Sequence, residues 1–120
     1  MKKFIAIYTG NPAHFEKWQK DHSDPAKRQA AEKAGMDGWI QWGKTHQKAI
    51  LDDGAPLGKT KRVTAKGVED IRNQMAGYTL VQAESQDAAA KMFLNHPHFT
   101  LFPGDGVEIM ECLPMPEMPK

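Results

Sequence analysis

The chain has 120 residues, 40% hydrophobic and 26% charged, with a formal net charge of +1, the composition of one globular domain of ordinary size. Two domains of half that length would bury too little core to stand without metals or disulfides, and the near-neutral balance argues against a dedicated nucleic-acid binder. Cys112 is the only cysteine, which excludes an intrachain disulfide and a multi-cysteine metal site and points to a reducing, cytoplasmic compartment. The apolar run Phe4-Ile5-Ala6-Ile7 is too short for a signal-peptide core and is broken by Thr9-Gly10-Asn11-Pro12. No stretch approaches the ~20 apolar residues of a membrane span. A soluble, unprocessed protein with no membrane partner is expected.

Lys3 to Thr9 reads as a strand apolar on both faces, the pattern of a strand covered on both sides. Asn11-Pro12 opens a helical segment, with Asn as cap and Pro in the first turn, and Phe15 and Trp18 share one of its faces. Asp24-Pro25 repeats the signal, and Ala26 to Ala34 is a run of helix formers that Gly35 is expected to stop. From Asp37 to Asp53 the spacing predicts a longer amphipathic helix, with Trp39, Trp42 or Gly43, His46 and Ile50 on one stripe and Gly54 as its C-terminal cap. Lys59 to Ala65 favours a strand, turned at Lys66-Gly67 into Val68 to Ile71; a short helix from Val68 to Met75 is the alternative. Tyr78 to Glu84 alternates as a central strand. Ser85 caps a helix over Gln86 to Leu94, closed by Asn95-His96-Pro97. Val107 to Leu113 is the last strand, and the tail from Pro114 to Lys120, with three prolines in seven residues, forms neither helix nor inner strand.

Strand, helices, strand or hairpin, strand, helix, strand is the order of an α+β ferredoxin-like sandwich, an antiparallel sheet with helices on one face. The other face is left for a second copy, so the expected assembly is a homodimer packed sheet to sheet.

Three segments carry a family resemblance: the opening strand Lys2 to Tyr8; the passage Ile50-Leu51-Asp52-Asp53-Gly54-Ala55-Pro56-Leu57; and Gly77-Tyr78-Thr79-Leu80-Val81-Gln82-Ala83-Glu84-Ser85 with the Asp87-Ala88-Ala89 helix start, His96-Pro97 and Val107-Glu108-Ile109. These resemble the YCII-related (DGPF-type) domain family, small bacterial proteins of the dimeric α+β barrel fold. The resemblance covers about two-thirds of the chain, and residues 11–35 look like an addition to it. The family's namesake Asp-Gly-Pro-Phe run is absent from the corresponding stretch, Val68 to Ala76. The histidine and aspartate that some members are thought to pair correspond here to Gly43 and His96, so that dyad does not carry over.

Histidine titrates near neutrality and serves as general acid, base or ligand. His46, on the stripe with Trp39 and Trp42, and His96 are the candidate catalytic residues; Tyr8, Trp42 and His98 are the candidate ligand-binding residues of an aromatic-walled pocket. The plainer readings are a partly buried His46 bonded to backbone, a cationic His96 at a helix end, and Trp39 as core or interface packing. Asp52-Asp53 is not read as an acid–base pair, because neighbours on a helix end point apart. His96 and His98, two residues apart, lack the spacing of paired metal ligands on one helix face, and no metal or other cofactor is expected. Lys59, Lys61, Arg62 and Lys66 read as a solvated strand edge, and Cys112 as a buried, inert thiol. The expected function is a small-molecule-binding homodimer, non-catalytic or weakly catalytic. The alternative is an isomerase-, lyase- or hydrolase-like enzyme using a pocket histidine.

Overall fold

Strand β1 (Lys2–Gly10) runs antiparallel between β5 (Met75–Ala83) and β6 (Gly104–Glu111). It packs Phe4, Ala6 and Tyr8 against the helices, at 0%, 0% and 3% exposure. This computed structural model describes residues 1–116. With β2 (Ile50–Pro56) on the far side of β5, the four-stranded sheet has the order β2-β5-β1-β6. Helices α2 (Pro25–Thr45), α3 (Gln86–Lys91) and α4 (Pro97–Thr100) are the elements around the buried cluster of Phe4, Ala6, Tyr8, Val81, Ala83, Ala89 and Phe93. This is the expected ferredoxin-like α+β sandwich. Strand alternation sends Ile5, Ile7, Leu80 and Met110 to the opposite face, where no helix of the described residues covers them. The molecule is accordingly only 18 Å through its thinnest axis, one sheet and one helix layer.

Between β2 and β5 the chain leaves the sheet as a separate two-stranded ribbon, β3 (Thr60–Thr64) and β4 (Gly67–Ile71). The hairpin reading of this stretch is correct, with Gly67 at the turn, φ +119°. Helix α1 (Pro12–Asp21) is capped by Asn11, whose side chain accepts from the Ala13 amide at 2.9 Å. It makes a helical hairpin with the start of α2, where the Arg28 guanidinium donates to the His22 and Gln19 carbonyls.

Three expected boundaries are wrong, each for a packing reason. Gly35 does not stop a helix, because α2 runs through it unbroken to Thr45. A Cβ at Gly35 would fall 2.4 Å from the Phe102 ring, and one at Gly38 2.9 Å from Leu101. Each interior glycine costs about 1 kcal/mol against alanine, offset here by contact with the chain around α4. The helix expected to reach Asp53 ends at Thr45 instead, and Ile50–Pro56 is an edge strand on β5. Gly54 is therefore no helix cap but a bulge in β2, at φ +72°, where a Cβ would lie 1.7 Å from the Tyr78 carbonyl oxygen. The helix after Ser85 stops at Lys91, and the left-handed Asn95 (φ 58°) redirects the chain into α4, a turn of helix not anticipated. Cys112 is exposed, not buried, because β6 ends before it. Of the Pro- and Met-rich tail, Pro114 to Pro116 have no regular structure and the rest lies outside the described residues.

Gly54→Ala combines a positive φ with a clash against backbone. It is expected to destabilise the protein by about 2 kcal/mol or more, read as a lower urea midpoint at unchanged slope; an unchanged midpoint would contradict the bulge.

Candidate functional site

The chemistry-bearing side chains converge where the end of β1 meets the middle of α2 and the short α4. Tyr8 lies at the centre, its ring 5.0 Å from Trp39, 5.2 Å from His96, 5.2 Å from His98 and 6.2 Å from Phe93. The Thr79 hydroxyl donates to the Asp53 carbonyl oxygen at 3.2 Å, so the Tyr8 hydroxyl donates to Thr79 Oγ1 at 2.8 Å. The relay crosses from β1 through β5 to β2. Burial above all, with a smaller contribution from the Asp53 charge, pushes the Tyr8 phenol up to about 12. It stays protonated throughout the physiological range and keeps oxygen lone pairs free to accept.

His96 caps α4: its Nδ1 accepts the backbone N–H of His98 at 3.0 Å. That bond places the proton of the neutral ring on Nε2. The ring is completely buried, and Nε2 has no hydrogen-bond partner among the described residues. It is enclosed by aromatic rings instead, nearly perpendicular to Trp39 at 4.6 Å, at 67° to Trp42 at 4.7 Å, and stacked on Phe93. A ring N–H meeting a π face makes a weak bond. Burial first, then the proximity of His98 and His46, lowers the His96 pKa to about 4. The expectation of a cationic histidine at a helix end is therefore wrong: His96 is a neutral cap, walled off from solvent.

His98 is placed differently. Its Nε2 lies 2.6 Å from the Thr9 carbonyl oxygen. A carbonyl only accepts, so Nε2 carries a proton, and in the neutral ring the Nδ1 lone pair is left over. The ring lies flat over Gly104, where a Cβ would come within 2.2 Å of it. The backbone of β6 is thus the seat on which His98 rests. Among the described residues nothing donates to His98 Nδ1.

His98 borders a cavity of about 330 Å³, walled by Tyr8, Met36, Trp39, Pro56, Tyr78 and Phe102 and edged by Asp53. The size is at the small end of ligand sites, and the composition is theirs too: apolar and aromatic walls with few polar groups. A neighbouring groove of about 460 Å³ shares Trp39 and Asp53 and runs past Trp42 and Gly43; the space beside Gly43 is open.

The five residues singled out from the sequence therefore separate. Tyr8 and His98 meet at the cavity. His96 lies behind Tyr8, in contact with it but outside the cavity lining. Trp42 spends its indole N–H on the Met92 carbonyl at 2.8 Å, tying α2 to the end of α3. His46, at the C-cap of α2, lies tilted against Trp42 at 5.0 Å and borders a surface groove rather than the cavity. Sequence reasoning missed Asp53, Met36 and Phe102 and set Trp39 aside as packing. Asp53 was misread because its segment is a strand, and the glycine after it was the available signal. Among the described residues no three His, Cys, Asp or Glu side chains come together to hold a metal, and no helix is long and apolar enough to cross a membrane.

The His96 pKa makes stability depend on pH with a defined sign. Its folded value lies below the ordinary 6.5, so the unfolded chain binds more protons in acid. The contribution is complete above pH 6.5 and is lost as the pH falls towards 4, by about 3 kcal/mol. Urea unfolding between pH 7.5 and 4 checks this: His96→Leu should flatten the slope by that amount, and an equal slope in both proteins would contradict it.

No family model matches the chain, and no curated protein matches it. Among solved structures, the chain is similar to the 5-chloro-2-hydroxyhydroquinone dehydrochlorinase of Burkholderia phenoliruptrix AC1100 in complex with 2,5-dihydroxybenzoquinone, at 14% identity, with 90% of each chain covered and a TM-score of 0.51. At that identity the likeness speaks for the fold alone, and it agrees with the strand order: an antiparallel α+β sheet with helices on one face.

Proposed function

We propose that this protein binds a small planar aromatic molecule, of phenol or quinone type, in the cavity beside Tyr8. The observation that carries the reading is the composition of that cavity: Tyr8, Trp39 and Phe102 supply aromatic surface, and His98, whose Nε2 is held by the Thr9 carbonyl, supplies a polar ring at the wall. A flat ring with a hydroxyl suits such a site, since the ring contacts the indole and phenyl groups and the hydroxyl donates to the imidazole. The similar solved structure holds a ligand of this class, which supports the choice.

A second reading, proton-transfer catalysis, is favoured by the Thr9 carbonyl. It fixes the His98 tautomer and orientation through Nε2–H, the arrangement that readies Nδ1 to take a proton. His98, not His46 or His96, is the base in this reading, with Asp53 the carboxylate at the cavity edge.

The protein acts as a homodimer of one YCII-like domain, to which residues 11–35 are an addition, and it works in the cytoplasm. Support for the dimer comes from the uncovered Ile5, Ile7, Leu80 and Met110 and from the surface area. One chain exposes 9,113 Å², against roughly 6,500 Å² for a compact monomer of its mass.

Titration with 2,5-dihydroxybenzoquinone, followed by tryptophan fluorescence, should give saturable quenching, weakened at least tenfold in Trp39→Ala and His98→Ala and unchanged in His46→Ala. No saturation up to about 1 mM, or equal affinity in all variants, would overturn the binding site. Release of chloride from 5-chloro-2-hydroxyhydroquinone, abolished in His98→Ala, would establish the catalytic reading; binding without turnover leaves the protein a binder.

A further inference from the structure

Among the described residues the β3–β4 hairpin is tied to the rest of the chain only near its base, where Asn73 donates to the Thr60 hydroxyl at 3.2 Å. Its strands pair only with each other, and Val63 and Val68, directly opposite one another near the tip, are 74% and 66% exposed. A two-stranded ribbon alone is marginally stable at best in water. Its cross-strand pairs, Lys61 Nζ to Asp70 at 2.6 Å and Arg62 Nε to Glu69 at 2.8 Å, are exposed on both sides and contribute little. An apolar pair held in solvent on a projecting ribbon is a surface waiting for a partner.

We propose that the hairpin is an arm laid across a second copy of the chain, seating Val63 and Val68 on the partner's body. The proposal rests on the homodimer reading and extends it beyond the sheet face. Two observations choose a second copy. The surface exposed by one chain exceeds that of a compact monomer by more than 2,000 Å², and a large homodimer interface removes about 1,000–2,500 Å² from each subunit. Charge supplies the second. From Lys59 to Arg72 the chain carries five basic and two acidic residues, which leaves 11 basic and 13 acidic elsewhere. A positive arm thus meets a negative body, whereas arm against arm would repel.

The test is sedimentation equilibrium on the full chain, comparing wild type, the double variant Val63→Asp/Val68→Asp, and Ile7→Glu on the open sheet face. Since both valines are exposed, the double variant should keep its far-UV spectrum. It should raise the dimer dissociation constant at least tenfold, as Ile7→Glu does. Hydrogen exchange of wild type, diluted below that constant, should speed selectively at hairpin amides, a readout that needs no variant. A dissociation constant within twofold of wild type, with Ile7→Glu still disruptive, would overturn the arm and leave the dimer standing. A wild-type monomer at 100 μM would overturn both. Binding of an RNA oligonucleotide to the hairpin at 150 mM salt, with dimerisation unmoved by the valine changes, would assign the arm to another partner and overturn the proposal.

Discussion

The hydrogen bond from the His98 amide to His96 Nδ1 is where the fold and the site become one object. It caps α4, fixes the tautomer of one histidine and sets the backbone from which the other reaches Thr9. Three elements distant in sequence meet around it. β1 brings Tyr8 and the Thr9 carbonyl, α2 brings Trp39, and β6 brings Gly104 as the flat seat under the His98 ring. The two imidazoles, separated by one proline, end in opposite states: one sealed among aromatic rings with its N–H unpaired, the other at the cavity edge with a lone pair free.

The aromatic cluster also explains why the protein tolerates a buried polar ring. A neutral imidazole costs far less to bury than an imidazolium, and the enclosing rings hold His96 neutral by excluding water. In return it buttresses Tyr8 from behind, while Tyr8 presents its other surroundings to the cavity. Interior glycines serve the same convergence. Gly35 and Gly38 let α2 lie close against Phe102, Leu101 and Pro97, which brings Trp39 over the sheet and Phe102 to the cavity wall.

Much of the architecture was legible in the sequence because it rests on strand alternation. Phe4, Ala6 and Tyr8 against Ile5 and Ile7 announced a sheet with two apolar faces, and the turn at Lys66-Gly67 announced the hairpin. What was illegible depended on tertiary contact. Gly35 looks like a helix stop unless the Phe102 ring above it is known. Ile50 to Asp53 continues a helical stripe in sequence, but pairing with β5 decides its conformation. The site suffered from the same cause. Tyr8 and His98 could be chosen by residue type, whereas Asp53 and Phe102 enter only through the bulge at Gly54 and the turn after α4, and His46 leaves when α2 ends one residue before it.

In the proposed site the three histidines near Trp42 and Tyr8 have separate duties: His96 a structural cap, His98 the ligand's acceptor, His46 a helix terminus. Long-range ¹H–¹⁵N correlation of the imidazole side chains, recorded at pH 7 with and without 2,5-dihydroxybenzoquinone, tests that division most directly. His96 should appear as the neutral Nε2–H tautomer, and ligand should move the Nδ1 resonance of His98 while His46 stays fixed. An Nδ1–H tautomer at His98, or a ligand response centred on His46, would contradict it.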